Sequence, residues 1–393
     1  MLKTNESFLY IFSWIQKGGK PGFGLYKFND DTGEMSFVSM LNEELSYGNA
    51  AIDAQRGILY CCVDTDKHPD LRAGGGSCLY AYKIDPENGT VTELNHVPSY
   101  CPCPSFVSID REKKFLTVSM HSTMDSITKV KKDAFGKAYI QVEFSDAGVG
   151  MFALNEDGSI GDLMDISIHT GCGPTPRQLH PHAHCAVLSP SGNLVASCDK
   201  GNDGVHMYRI DREKGKLILN GGAPYQSRPG TAPRYCAFHP TLPFFFHNNE
   251  MKMEIDSYRY DEQGNLEHLA TTRSLPDDYV IPPRERHGQQ DFQIDSSGKY
   301  IYAMMHGYYN SISVFEVNQE SGALTLVQNV PVPGVWARAF AFSADRRHLV
   351  AVCLTSGDIT SYNVGEDGKL SLTGFSAEQS AACCALFYKP ESI

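Results

Sequence analysis

The sequence predicts an all-β fold, a seven-bladed β-propeller closed by a blade shared between the N- and C-termini. Three observations predict it: a strand–turn–glycine repeat present seven times, a second hydrophobic hairpin between the copies, and two orphan strands at the chain ends. Residues 1–393 are read as one propeller, because repeat architectures routinely exceed the length at which compact chains divide.

The outer hairpins come first. Tyr26, Tyr82, Phe152, Tyr208, Tyr258, Phe315 and Tyr362 each sit in a short alternating strand, 47 to 70 residues apart. Six or seven residues after each comes a glycine: Gly33, Gly89, Gly158, Gly215, Gly264, Gly322 and Gly368. Period-two alternation closed by an Asp/Asn/Gly turn is a hairpin signature, since such turns need the positive φ that glycine tolerates.

The inner hairpins are hydrophobic strands flanking a polar turn, as in Ala186 to Ala196, and recur over 50–63, 107–120, 237–249, 292–305 and 341–353. That makes six for seven outer hairpins. Phe8-Leu9-Tyr10-Ile11-Phe12 and Cys383-Cys384-Ala385-Leu386-Phe387-Tyr388 supply the two strands of the seventh, so the ring closes with no open sheet edge. The segment from Ser122 to Gln141 lengthens one repeat and is expected to be a surface excursion, with a lid or a partner contact as the alternative.

Composition excludes several classes. With 34 basic and 46 acidic residues the net charge is -12, and no basic run is suited to a phosphate backbone, so nucleic acid is not an expected partner. No apolar stretch is long enough to span a bilayer, and no cleavable leader is recognised, so the expectation is a cytoplasmic protein without membrane association. Most of the twelve cysteines lie in strand-like runs without bridging or zinc-ribbon spacing and read as buried free thiols. Cys101-Pro102-Cys103 lacks the second pair that a metal knuckle needs.

Propeller geometry turns the repeat register into a site. Inner strands leave one face and the next strands return to it, so the starts read Gly48, Ser105, His184, Arg234, Gln290 and Arg338. The returning ends read Asp64, His121, Asp199, Asn249 followed by Glu250, and His306. Arginines, histidine and glutamine where a β repeat needs small or apolar residues point to a cationic pocket at one channel mouth.

Pro181-His182-Ala183-His184, Ala232-Pro233-Arg234-Tyr235, Phe238-His239-Pro240 and Asn248-Asn249-Glu250 resemble the motif series of the lactonase family of propellers, which includes bacterial 6-phosphogluconolactonases and fungal carboxymuconate cyclases. The resemblance implies that His184, Arg234 and Glu250 are catalytic. Arg338 matches a later Pro-Arg, with Ala337 replacing the proline, and His306 in Met305-His306-Gly307 stands where the family has an arginine.

Lactone hydrolysis needs an activated water and a cation where the carbonyl oxygen gains charge, which suits His184 or Glu250 as base and Arg234 as oxyanion partner. His306, Arg338, Gln290, His182 and Asp199 are the expected substrate-binding residues. The expected partner is a small anionic lactone or carboxylic acid. The alternatives are a cyclase-like intramolecular lyase and a non-catalytic binding propeller. No cofactor is expected. His180, His182 and His184 alternate as ligands on a strand would, but prolines at 174, 176 and 181 make that segment a loop, and no metal is assigned to it.

Overall fold

The structure is a computed structural model that describes residues 2–14, 21–65, 68–72, 75–280 and 287–390. Seven sheets stand around a channel. From the channel outward, the closing blade runs Ala382–Tyr388, Glu6–Ser13, Phe23–Asn29 and Met35–Leu41. The second runs Tyr47–Asp53, Ile58–Val63, Cys78–Ile84 and Val91–Pro98, and the third Cys103–Ile109, Phe115–His121, Gly148–Leu154 and Ile160–Ile168. The fourth runs Val187–Leu188, Leu194–Asp199, Gly204–Asp211 and Lys216–Leu219, with Tyr225–Gln226 as an extra edge piece. Pro233–Phe238, Phe244–Asn249, Glu254–Tyr260 and Leu266–Arg273 form the fifth. The sixth is Gly288–Ile294, Tyr300–His306, Ser311–Val317 and Leu324–Pro331, and the seventh Ala337–Phe342, His348–Cys353, Asp358–Val364 and Leu370–Glu378.

Every blade is an antiparallel meander whose second strand is almost wholly buried, because it is covered by neighbouring blades on both faces. The seven repeat glycines all take positive φ. At Gly158 a Cβ would also lie 2.1 Å from Ile58 Cδ1 of the preceding blade, so the turn needs glycine for packing as well as for backbone conformation. The Tyr60 hydroxyl donates to the Gly158 carbonyl at 2.8 Å, and Tyr10 and Tyr302 make the same bond to Gly89 and Gly368. These bonds tie the closing, second and sixth blades each to the next.

The terminal blade closes as expected: Phe8 pairs with Tyr388, Tyr10 with Leu386 and Phe12 with Cys384. The insertion forms an exposed two-stranded ribbon, Ser126–Lys132 with Ala138–Phe144, rooted beside the cavity described next. The fourth inner strand is short, and the proline-bearing stretch before it is irregular, held by one bridge between Ala183 and Asp199. Among the described residues no helix is long and apolar enough to cross a membrane.

Candidate active site

A cavity of about 740 Å³ opens at one mouth of the channel. Two concentric rings from the repeat register line it. The strand starts Gly48, Ser105, His184, Arg234, Gln290 and Arg338 make one; Asp64, His121, Lys200, Glu250, His306 and Leu354 make the other. Members of a pair from one blade are always sixteen residues apart. The backbone explains the constancy: the returning residue's N–H bonds the carbonyl two residues before the start, as in Asp64 to Ser46, Lys200 to His182, Glu250 to Ala232 and Leu354 to Trp336. Trp14 makes the same bond to Ala381 and is the seventh returning residue.

Charge is segregated within the cavity. Glu44, Asp64 and Asp125 lie on its wall at the second and third blades, whereas Arg177, Lys200, Arg234 and Arg338 converge from the fourth blade onward. Glu250 is the hub of the cationic side: Arg177 Nη2 lies 2.8 Å from Oε1, Arg234 Nε 3.2 Å and Lys200 Nζ 3.5 Å from Oε2. Burial alone would raise the Glu250 carboxyl, but Lys200, Arg234 and Arg177 hold it well below its ordinary value. Arg234 is 1% exposed and its guanidinium lies 4.6 Å over the Tyr235 ring. Its Nη1 is buried without a hydrogen-bond partner among the described residues. Arg338 Nη1 donates to Gln290 Oε1 at 2.7 Å, with the guanidinium 5.8 Å over Trp14.

His184 is fixed from three sides. Its N–H bonds Cys198 O at 2.9 Å, Ser105 Oγ holds the Ala183 carbonyl at 3.1 Å, and its ring meets Tyr235 edge-on at 5.1 Å. Burial, with Arg234 and Lys200 near, pushes its imidazole well below the usual histidine range, so it is neutral at neutral pH. Burial likewise takes His121, 5.4 Å from His184, down to about 3. His306 stacks on Trp336 with centroids 4.6 Å apart and planes 6° apart. Trp336 has φ +66°, at a register position where Ala232 and Ala381 share the positive φ, so a bulky indole is held here against a backbone preference for smaller residues.

His184, Arg234, Glu250, His306, Arg338 and Gln290 therefore meet in one cavity. His182 and Asp199 do not line it. Asp199 ladders with the channel strand where Val63, Asn249, Met305 and Cys353 do, one place before the cavity-facing position. Its carboxylate is buried against His169 Nδ1 at 2.7 Å and the N–H groups of His182, Gly201 and Asn202. His182 stacks on the far side of His121 at 4.7 Å and bonds Ser122 Oγ at 2.8 Å. Both support the wall from behind. Ser122 also bonds His180 Nδ1, so His180 and His182 share a hydroxyl.

Sequence reasoning left out Lys200, Arg177, Trp14 and Trp336. The constant sixteen-residue offset identifies Lys200 from His184. Trp14 and Trp336 are the only two tryptophans of the chain, and both line the cavity.

The profile of the family described as "Lactonase, 7-bladed beta-propeller" matches residues 9–387. A 6-phosphogluconolactonase of Bacillus subtilis is 30% identical over 362 residues, covering 91% of each chain. One of Formosa agariphila is 24% identical, covering 92% of this chain and 94% of its own. Among solved structures, the periplasmic gluconolactonase PpgL of Pseudomonas aeruginosa superposes with TM-score 0.82 at 20% identity, covering 98% and 99% of the two chains. A Lactobacillus plantarum protein gives 0.80 at 22%, covering 97% and 99%. The chain belongs to the lactonase family of seven-bladed β-propellers.

Proposed function

We propose that the protein is a lactone hydrolase acting on an anionic sugar lactone of the 6-phosphogluconolactone type. The observation that carries this is the Arg234 guanidinium, buried at the cavity wall beside a neutral His184 with Nη1 unmatched by any described group. A buried donor without a partner costs free energy in the resting protein and recovers it when an oxygen that gains negative charge arrives.

In the proposed reaction a water attacks the lactone carbonyl, the ring C–O bond breaks, and the product is the open hydroxy acid. His184 accepts the water proton and returns it to the leaving alkoxide, while Arg234 faces the carbonyl oxygen. Glu250 is assigned no proton transfer, because Arg177 occupies Oε1 and Arg234 and Lys200 occupy Oε2; it orients Arg234 and Lys200. Arg338, set by Gln290, and His306 receive the anionic end of the substrate. The names of the curated relatives support the substrate class. All twelve cysteines are free thiols, which suits a reducing compartment and supports a cytoplasmic location.

The test is acid release from phosphorylated and unphosphorylated sugar lactones, followed against spontaneous hydrolysis, with muconates in the same panel. Turnover of phosphorylated lactones above the others supports the assignment. Lactone formation from muconates with no hydrolysis transfers it to the lyases, and no turnover of any compound refutes an enzymatic role on these substrates.

A further inference from the structure

We propose that Cys185, Cys198 and Cys236 form a trigonal thiolate site for Cu(I) in the core between the fourth and fifth blades. All three are buried, and their sulfurs lie within 4.8 Å of one another, Cys185 and Cys236 at 3.5 Å. Metal–sulfur bonds of about 2.3 Å place the sulfurs of a trigonal set about 4 Å apart, so the cluster needs only small side-chain adjustments to close on an ion.

Packing alone does not call for this arrangement. Counted from the strand starts, the three occupy three different register positions. The places of Cys185 hold Asn49, Phe106, Tyr235, Asp291, Ala339 and Cys384 in other blades, and those of Cys198 hold Phe12, Cys62, Ser119, Asn248, Met304 and Val352. The repeat demands sulfur at neither, yet the sulfurs converge. The Cys198 N–H also donates to Cys185 Sγ at 3.4 Å, the kind of outer contact that steadies a thiolate ligand. Cys236 also lines a second cavity between the channel strands.

The ligand set selects the ion. No fourth His, Cys, Asp or Glu among the described residues joins the cluster. Zinc favours four ligands, whereas soft thiolates suit Cu(I). Binding displaces the thiol protons to solvent, so affinity rises with pH. The cluster lies outside the hydrolytic cavity, and hydrolysis is not expected to require the metal.

The experiment begins with native, reduced protein whose accessible thiols, exposed Cys172 and half-buried Cys103, are blocked with iodoacetamide. Cu(I) is then titrated in competition with bicinchoninate, and X-ray absorption is recorded on the loaded wild type. One Cu(I) per chain with three sulfur neighbours is expected. Cys198→Ala should weaken binding beyond the about 10- to 100-fold that loss of a merely supporting residue costs, whereas Cys62→Ala should not. No binding, fewer than three sulfurs, or binding untouched by Cys198→Ala in a variant that folds by circular dichroism overturns the proposal. So does Zn(II) binding where Cu(I) fails. If Cys198→Ala does not fold, the wild-type absorption spectrum decides.

Discussion

Arg234 and Glu250, sixteen residues apart at the start of one inner strand and just past the end of its partner, meet in the cavity as an ion pair at 3.2 Å with side chains only 2% and 5% exposed. The pair is not isolated, because Arg177 and Lys200 reach the same carboxylate. Glu250→Gln leaves these cations facing one another. Breaking such a buried set costs about 3–5 kcal/mol, measurable by urea unfolding. The same variant should bind the anionic product more tightly in inhibition assays, and unchanged stability together with unchanged product affinity would remove Glu250 from its place as hub.

Acid should destabilise the protein in two stages. The histidines His121 and His182 are held by burial at about 3 and about 2, far below the unfolded value of about 6.5. The unfolded chain therefore takes up their protons first, and stability falls as pH drops below about 6.5. Glu250, held below its ordinary value, contributes stability above about 4.3 that is lost on further acidification. Thermal unfolding against pH should show His121→Asn reducing the first stage and Glu250→Gln the second. A midpoint independent of pH in the wild type contradicts both.

The blade count and the ring closure were legible in the sequence because each rests on a repeated local requirement, a positive φ at the turn glycine, and ten of the cavity residues were legible from the register of strand starts and returning ends, where polar side chains stand out against a repeat that needs small or apolar ones. Asp199 was placed in the cavity by taking the last strand residue, whereas the backbone bond from Lys200 to His182 sets the facing position one residue later. Trp14 was hidden because its hairpin is split between the termini, so no sixteen-residue offset reaches it. Arg177 had no register at all. It rides on an irregular loop whose position depends on long-range bonds such as Gln178 Nε2 to Asp203 at 2.7 Å.

At His306 the prediction concerns charge. The imidazole stacks on Trp336 and faces the same cavity as Arg338. A permanent charge at this place should show in binding: His306→Arg should hold the anionic product more tightly than the wild type does at neutral pH. Calorimetric titration of both proteins checks this; equal affinities would mean that position 306 does not read substrate charge.

Closure of the ring makes a further prediction. Deleting residues 382–393 removes the channel strand of the terminal blade and leaves Glu6–Ser13 with an unpaired edge. The loss should be comparable to the whole stability of a typical fold, about 5–15 kcal/mol, so the truncated chain should be unfolded or melt without a cooperative transition. A sharp melt at the wild-type temperature contradicts this.

The most direct measurement is the single-turnover rate of 6-phosphogluconolactone hydrolysis by the wild type and by Arg234→Ala, corrected for the spontaneous reaction. Loss of one oxyanion partner should lower the rate about 100- to 1,000-fold while circular dichroism shows the propeller retained. Equal rates in the two proteins, or a wild type no faster than buffer, would contradict the assignment of this cavity as a lactone-hydrolysing site.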